Sequence, residues 1–69
     1  MITATATYNE SDIGFGEGES NTYAIEECIE SIPVMYLEDM DNIELTIRNN
    51  NQKFRVDFRH FYQAQRQYF

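Results

Sequence analysis

The segment IELTIRNNNQKFRVDF, residues Ile43 to Phe58, decides the fold. Apolar and polar residues alternate in both of its halves, with the apolar positions at Ile43, Leu45 and Ile47 and again at Phe54, Val56 and Phe58. Successive side chains of a β-strand point to opposite faces, so each half predicts a strand with one apolar face. A polar run rich in asparagine separates the halves, as a turn does. The segment therefore predicts a β-hairpin.

The register of this hairpin follows from a two-residue loop at Asn50 and Asn51. Such a loop favours positive φ at both positions, and asparagine tolerates positive φ better than most residues. The loop pairs Ile47 with Phe54, Leu45 with Val56 and Ile43 with Phe58. All six apolar side chains then lie on one face, so the turn and the hydrophobic pattern predict the same register.

A strand and a helix are predicted before the hairpin. The stretch ITATATY, residues 2–8, alternates throughout and predicts a strand, and its small Ala4 and Ala6 favour close packing of a helix above it. A helix from about Thr22 to Ile32 follows from an apolar stripe at Ile25, Cys28, Ile29 and Ile32. Ser20, Asn21 and Thr22 offer N-caps. Pro33 ends the helix and can start a short second turn to Met40.

Residues 9–21, NESDIGFGEGESN, predict a long loop, because Gly, Ser, Asn and acidic residues dominate the segment. Its glycines form a G-x-G-x-G pattern, as in phosphate-binding loops, but the carboxylates of Asp12, Glu17 and Glu19 would repel an anion. These carboxylates also lack the ligand spacing of a calcium-binding loop. Ile13 and Phe15 either cap the core or form an apolar anchor for a partner.

The C-terminal segment, residues 59–69, predicts a short helix or an ordered tail. Its helical spacing is carried by Phe58, Phe61, Tyr62, Gln65 and Tyr68 or Phe69. The expected fold is therefore α+β: one domain, residues 1–69, in the order β-α-β-β plus a short C-terminal helix. A three-stranded antiparallel sheet carries a helix on one face.

Charge divides the chain sharply. Residues 1–47 hold eleven acidic residues and no Lys or Arg, whereas residues 48–69 hold five basic residues and one acid, for a net charge of -7. Ordinary surfaces mix the two signs, and uncompensated carboxylates repel one another. Solubility alone explains a net charge away from zero, but a strongly basic partner surface would also offset this repulsion.

Groups for catalysis are scarce in this sequence. Cys28 and His60 are the only residues of their types, and Cys28 belongs to an apolar helix stripe, where cysteine is usually a buried hydrophobe. We therefore expect no enzyme activity, no cofactor and no metal site. One cysteine excludes an intrachain disulfide, and neither a signal peptide nor a membrane span is found, so we expect a cytoplasmic protein.

In size, acidity and lack of catalytic groups, the chain resembles small phage-encoded inhibitors, a class that includes anti-CRISPR proteins, uracil-DNA glycosylase inhibitors and other DNA mimics. The resemblance implies a protein that occupies the basic cleft of a nucleic-acid-binding host protein or complex, in the host cytoplasm, with carboxylates placed like phosphates. The acidic residues expected at that interface are Glu17, Glu19, Glu26, Glu27, Glu30, Glu38, Asp39 and Asp41. Ile13 and Phe15 would be its apolar anchors.

Two other functions fit the same pattern. The chain could be an accessory subunit that self-associates, its acidic half meeting the basic half of a neighbour, and the small core also favours a homodimer. It could also neutralise a basic toxin, as an antitoxin does. The basic aromatic C-terminal segment suggests nucleic-acid stacking, but the overall acidity opposes phosphate binding, so no direct nucleic-acid binding is expected.

Overall fold

The computed structural model describes residues 1–66 and the side chains of residues 1–64. The elements in chain order are β1 (Ile2–Tyr8), β2 (Ser11–Gly18), α1 (Asn21–Ser31), a 3₁₀ helix (Val34–Asn42), β3 (Ile43–Asn49), β4 (Gln52–Val56) and α2 (Phe58–Arg66). The strands form one antiparallel sheet in the order β2-β1-β3-β4. The α+β class is confirmed, but the sheet formed by the described residues has four strands where three were predicted.

The predicted hairpin is present as β3 and β4. Ile47 pairs with Phe54 and Leu45 pairs with Val56, as predicted. The predicted pair of Ile43 with Phe58 is wrong, because β4 ends at Val56 and Phe58 begins α2. The turn also differs, because φ is 59° at Asn50 and is not positive at Asn51. Positive φ at the first position alone is the pattern of a type II′ turn, which also suits a two-residue hairpin.

The segment predicted as a long loop is mostly a strand, and this prediction was wrong. Residues 11–18 form β2, which pairs along its length with β1. The connecting turn is two residues long, with φ of 51° at Asn9 and 69° at Glu10. Positive φ at both positions is the type I′ pattern of tight hairpins. Glutamate rarely adopts this conformation, so this turn is difficult to predict from the residues alone.

The glycines of β2 explain why its strand pattern was hidden. Gly14, Gly16 and Gly18 occupy alternate positions, and all three face α1. A Cβ atom at Gly16 would overlap the backbone oxygen of Ala24 and the backbone nitrogen of Cys28. The helix therefore packs directly on the strand backbone, where no larger side chain fits. The strand has its period of two, but glycine takes the positions where apolar side chains normally stand.

Helix α1 closely matches its predicted bounds. The side chain of Ser20 accepts a hydrogen bond from the Tyr23 N–H and caps the N-terminus. The helix buries its predicted stripe against small residues of the sheet, and the resulting core consists of Ala4, Ala6, Ala24, Ile25, Cys28, Ile29, Ile32, Ile43, Leu45, Ile47 and Phe58. The expectation that the alanines of β1 admit a close helix is thus confirmed.

Ser31 ties the end of α1 to the outer edge of β2. Its hydroxyl oxygen accepts a hydrogen bond from the Phe15 N–H at 2.9 Å and lies 3.1 Å from the Phe15 carbonyl oxygen, to which the hydroxyl can donate. The same hydroxyl lies 2.7 Å from the Cys28 carbonyl oxygen. The unpaired backbone of an edge strand is thereby covered at its midpoint.

The 3₁₀ helix and α2 complete the layer that covers the helix side of the sheet. The Tyr8 and Tyr36 rings lie 5.1 Å apart and join β1 to the 3₁₀ helix. The backbone N–H of His60 lies 3.4 Å from a carboxylate oxygen of Asp57, which precedes α2 as an N-cap does. The predicted C-terminal helix is therefore confirmed as far as Arg66, and Tyr68 and Phe69 lie outside the described residues. Among residues 1–66, no helix is long and apolar enough to cross a membrane.

Candidate protein-binding surface

Three carboxylates form a continuous acidic strip on the outer face of α1. Glu26, Glu27 and Glu30 are exposed, and they lie off the buried stripe of the helix. None forms an ion pair with a Lys or Arg of the described residues, where the two ion pairs are Arg55–Glu44 and Arg59–Asp41. We call these three residues the acidic strip.

The acidic strip lowers the stability of its own helix. Residues three and four apart are neighbours on a helix, so Glu30 faces like charges at both Glu26 and Glu27. Glu30 also lies in the last turn, where the negative end of the helix dipole disfavours a carboxylate. The last turn holds no basic residue that would offset this effect. The acidic strip therefore destabilises the fold, and no ion pair among the described residues offsets this effect.

The two glutamates of the predicted loop occupy different places. Glu19 is exposed immediately before the N-cap Ser20, and it extends the acidic surface toward the start of α1. Glu17 is paired with Thr3 across β1 and β2, so its side chain lies on the sheet face opposite α1. The structure therefore separates Glu17 from the acidic strip.

The acidic residues of the 3₁₀ helix have partners inside the fold. Asp39 is half-buried and accepts hydrogen bonds from the Tyr8 hydroxyl and the Asn42 side-chain amide, each at 2.8 Å. The bonds from Asn42 and Tyr8 lower the pKa of Asp39, and the same bond to Asp39 raises the pKa of Tyr8. Asp41 forms an ion pair with Arg59 at 2.5 Å. Glu38 is exposed and forms no ion pair with a Lys or Arg of the described residues.

The two predicted apolar anchors lie in different environments. Residues Ala6 and Thr7 pair with Gly14 and Asp12, so Ile13 is the extra residue of a β-bulge. Ile13 is half-buried and packs against the core. Phe15 is 54% exposed and is paired with Thr5, which places it on the sheet face opposite α1.

The two residues considered for catalysis are not brought together by a hydrogen bond. Cys28 is fully buried in the core, whereas His60 is exposed on α2, where its ring lies 5.5 Å from the Phe61 ring. Within the described part of the chain, no group of three or more His, Cys, Asp or Glu side chains is arranged to hold a metal ion.

Burial raises the pKa of the Cys28 thiol from 9.0 to about 11. We expect an alkylating reagent at mildly alkaline pH to modify Cys28 only after the chain unfolds. The unfolded thiol loses its proton at lower pH than the folded one, so the free energy of unfolding should fall as the pH rises from about 9 to about 11. Denaturant titrations of the wild type and of Cys28→Ala measure this, because the variant lacks that contribution. Rapid labelling of the folded chain would contradict the burial of Cys28.

Sequence reasoning missed a second surface, the sheet face opposite the helices. A depression of about 350 Å³ on this face is lined by Thr3, Thr5, Thr7, Asp12, Phe15, Thr46, Arg48 and Lys53. The signal was present in ITATATY, whose threonines all share one face. The surface could be recognised only once the positions of β2 and of the β3–β4 hairpin beside β1 were known.

Comparisons of this chain with protein-family models, curated proteins and solved structures give no significant match.

Proposed function

We propose that this protein is a small acidic inhibitor that binds a nucleic-acid-binding protein or nuclease complex and occupies its basic cleft as a nucleic-acid mimic, as anti-CRISPR proteins of this type do. It acts by binding alone, without catalysis or a cofactor. The observation that carries the proposal is the acidic strip, whose carboxylates are exposed and have no cationic partner among the described residues.

The charge density of the acidic strip supports mimicry. Glu26 and Glu30 are four residues apart, so the three carboxylates span about 6 Å of helix axis. This is roughly one charge per 3 Å, close to the one phosphate per about 3.4 Å of a single DNA strand. The acidic strip therefore matches the average charge density that a basic cleft meets along a phosphate backbone, although its three charges are unevenly spaced.

The remaining candidate residues take graded roles in this proposal. Glu19 extends the strip at the N-terminus of α1, and the exposed Glu38 is an outer contact that mainly raises the association rate. Glu17 lies on the opposite face of the sheet, outside this contact. Asp39 and Asp41 are already engaged by Tyr8, Asn42 and Arg59, so their role is to hold the 3₁₀ helix in place.

The proposal is tested by reversing the acidic strip to Glu26→Lys, Glu27→Lys and Glu30→Lys in one variant. The change alters the local charge by six units and turns attraction to a basic cleft into repulsion. We expect a loss of affinity on the order of 100-fold or more. The melting temperature should stay the same or rise, because the reversal removes an unfavourable charge from the last turn of α1.

A matched control reverses Glu10, Asp12 and Glu44, three exposed carboxylates away from α1 and outside the proposed contact. Wild type and both variants are immobilised and exposed to a nuclease-treated bacterial extract, and the captured proteins are quantified. Nucleic-acid-binding proteins should be retained by the wild type and by the control and lost from the strip variant. Equal capture by the strip variant would remove the acidic strip from the interface.

A further inference from the structure

The described part of the chain leaves one face of the sheet uncovered. Both helices and the 3₁₀ helix lie on the side of Ala4, Ala6, Leu45 and Ile47, which are buried. The opposite face carries Thr3, Thr5, Thr7 and Thr46, which are half-buried. We call it the open face. It lies on the far side of the sheet from the acidic strip.

Strand register arranges the open face into rows that run across the four strands. One row, read from β2 to β4, is Glu17, Thr3, Arg48, Lys53. The next is Phe15, Thr5, Thr46, Arg55. Each of these two rows begins with an acidic or aromatic side chain on β2 and ends with a cation on β4, whereas the third row, Asp12, Thr7 and Glu44, has no paired residue on β4.

The charges at the ends of the first row are uncompensated within the described residues. Arg48 and Lys53 are like charges placed directly opposite each other, an unfavourable cross-strand pair. Neither forms an ion pair with a described carboxylate, and Glu17 at the other end has no cationic partner there. In the second row, Arg55 forms an exposed ion pair with Glu44 at 3.6 Å, which leaves most of its guanidinium accessible.

We infer that the open face is a homodimer interface in which two copies stack sheet on sheet about a two-fold axis parallel to the strands. This axis exchanges the two edges of the sheet, so β2 of one copy lies over β4 of the other and β1 lies over β3. Glu17 then faces the partner copy's Lys53, and Thr5 faces the partner copy's Thr46. Phe15 faces the partner copy's Arg55, the arrangement of a cation–π contact.

Other symmetric stackings lack this match. A two-fold axis perpendicular to the strands, but still in the plane of the interface, would place β2 of one copy over β2 of the other. Glu17 would then face the acidic residues of that strand. The parallel axis instead makes each contact occur twice, as an isologous interface requires. It also aligns the strands of the two sheets, the usual arrangement of a β-sandwich.

The size of the open face sets the strength of this dimer. Four strands spaced at about 4.8 Å make a face about 19 Å wide. Such a face buries only a few hundred Å² per copy, less than the roughly 800 Å² of a standard interface. The dimer is therefore concentration-dependent. Its two acidic strips point outward, so dimer formation is independent of partner binding.

Sedimentation equilibrium of the wild-type chain tests the proposal over about 10 µM to about 1 mM protein. The average mass should rise toward twice that of one chain. Added salt should reverse this, because the Debye length falls from about 10 Å at 0.1 M to about 3 Å at 1 M. A single-chain mass throughout the range at low salt would overturn the proposal.

Charge-swap variants then test the predicted pairing. Glu17→Lys and Lys53→Glu should each weaken the dimer on the order of 10- to 100-fold, because each places like charges together twice per dimer. The double variant Glu17→Lys/Lys53→Glu should restore it. Glu27→Lys, an equal change of charge on α1, should leave the dimer unchanged, and melting curves check that each variant is folded.

Two results would overturn the pairing. One is a double variant that stays as weak as the singles, and the other is a Glu27→Lys variant that weakens the dimer equally. A single-stranded DNA of about 12 nucleotides is added as a further arm, since arginine and aromatic side chains also bind bases. If that DNA binds and Glu17→Lys strengthens its binding, the open face is a nucleic-acid surface instead.

Discussion

Gly16→Ala should destabilise the protein by about 3 kcal/mol or more, although it adds a single methyl group. A Cβ atom at Gly16 overlaps backbone atoms of Ala24 and Cys28, and a helix backbone cannot rotate away as a side chain can. Helix α1 would have to lift from β2 and open the core. A domain of this size has only about 3–5 kcal/mol in total, so most of the chain should be unfolded.

Gly18→Ala is the matched control for this variant. Its Cβ would meet side-chain atoms of Tyr23, the nearest at 2.5 Å. The Tyr23 side chain is exposed and can move aside. Neither glycine has positive φ, so backbone strain does not separate the two variants. Circular dichroism melts should show a large loss for Gly16→Ala and a small change for Gly18→Ala. Equal melting temperatures would mean that α1 does not pack on the backbone of β2.

Ile47→Asp should unfold the protein as well. Ile47 is 0% exposed on the helix side of β3, and no buried polar or charged residue is found among the described residues. An ionised carboxylate at this position would have no cation to pair with, and burying an unpaired charge costs several kcal/mol. The free energy of unfolding, measured by denaturant titration, should therefore fall to near zero or below.

Phe54→Asp is the control for this second variant. Phe54 is the cross-strand partner of Ile47 on the same side of the sheet, but it is 39% exposed because β4 is an edge strand and α1 covers β1 and β2 instead. A carboxylate there reaches water, so the loss should be much smaller, with the half-buried Val56→Asp between the two. Equal losses at Ile47 and Phe54 would mean that the hairpin is buried to its outer edge.

The sequence could predict those elements that bury apolar side chains at regular intervals. Helix α1 and the β3–β4 hairpin present regular apolar stripes to the core, and both lie where their patterns indicate. Strand β1 also alternates, and its Ala4 and Ala6 correctly predicted a helix packed close above them. In these segments the local pattern and the tertiary packing agree.

Strand β2 was not predicted because the residues on its buried face are glycines. A strand that receives a helix directly on its backbone has no apolar side chains on that face, and the usual signal is absent. The other face of β2 carries acidic residues and Phe15, which suggested a surface loop. The end of β4 was misplaced for a different reason, since Phe58 continues the alternation but is buried as the first residue of α2.

The candidate site could be predicted only in part. The sequence pointed to the acidic residues as a group, but it could not distinguish carboxylates with internal partners, such as Asp39 and Asp41, from those of the acidic strip. Hydrogen bonds and ion pairs between distant segments depend on the tertiary fold. The open face needed the register of four strands before its rows could be recognised.

Competition with nucleic acid tests the central claim most directly. The target protein that the wild type captures is loaded with a fluorescent DNA duplex. The 69-residue acidic protein is then added, and the fluorescence anisotropy of the DNA is followed. Wild type and the Glu10, Asp12 and Glu44 control should displace the DNA fully, whereas the strip variant should leave it bound, and added salt should weaken the displacement. A stable complex that holds the DNA and this protein together would contradict nucleic-acid mimicry.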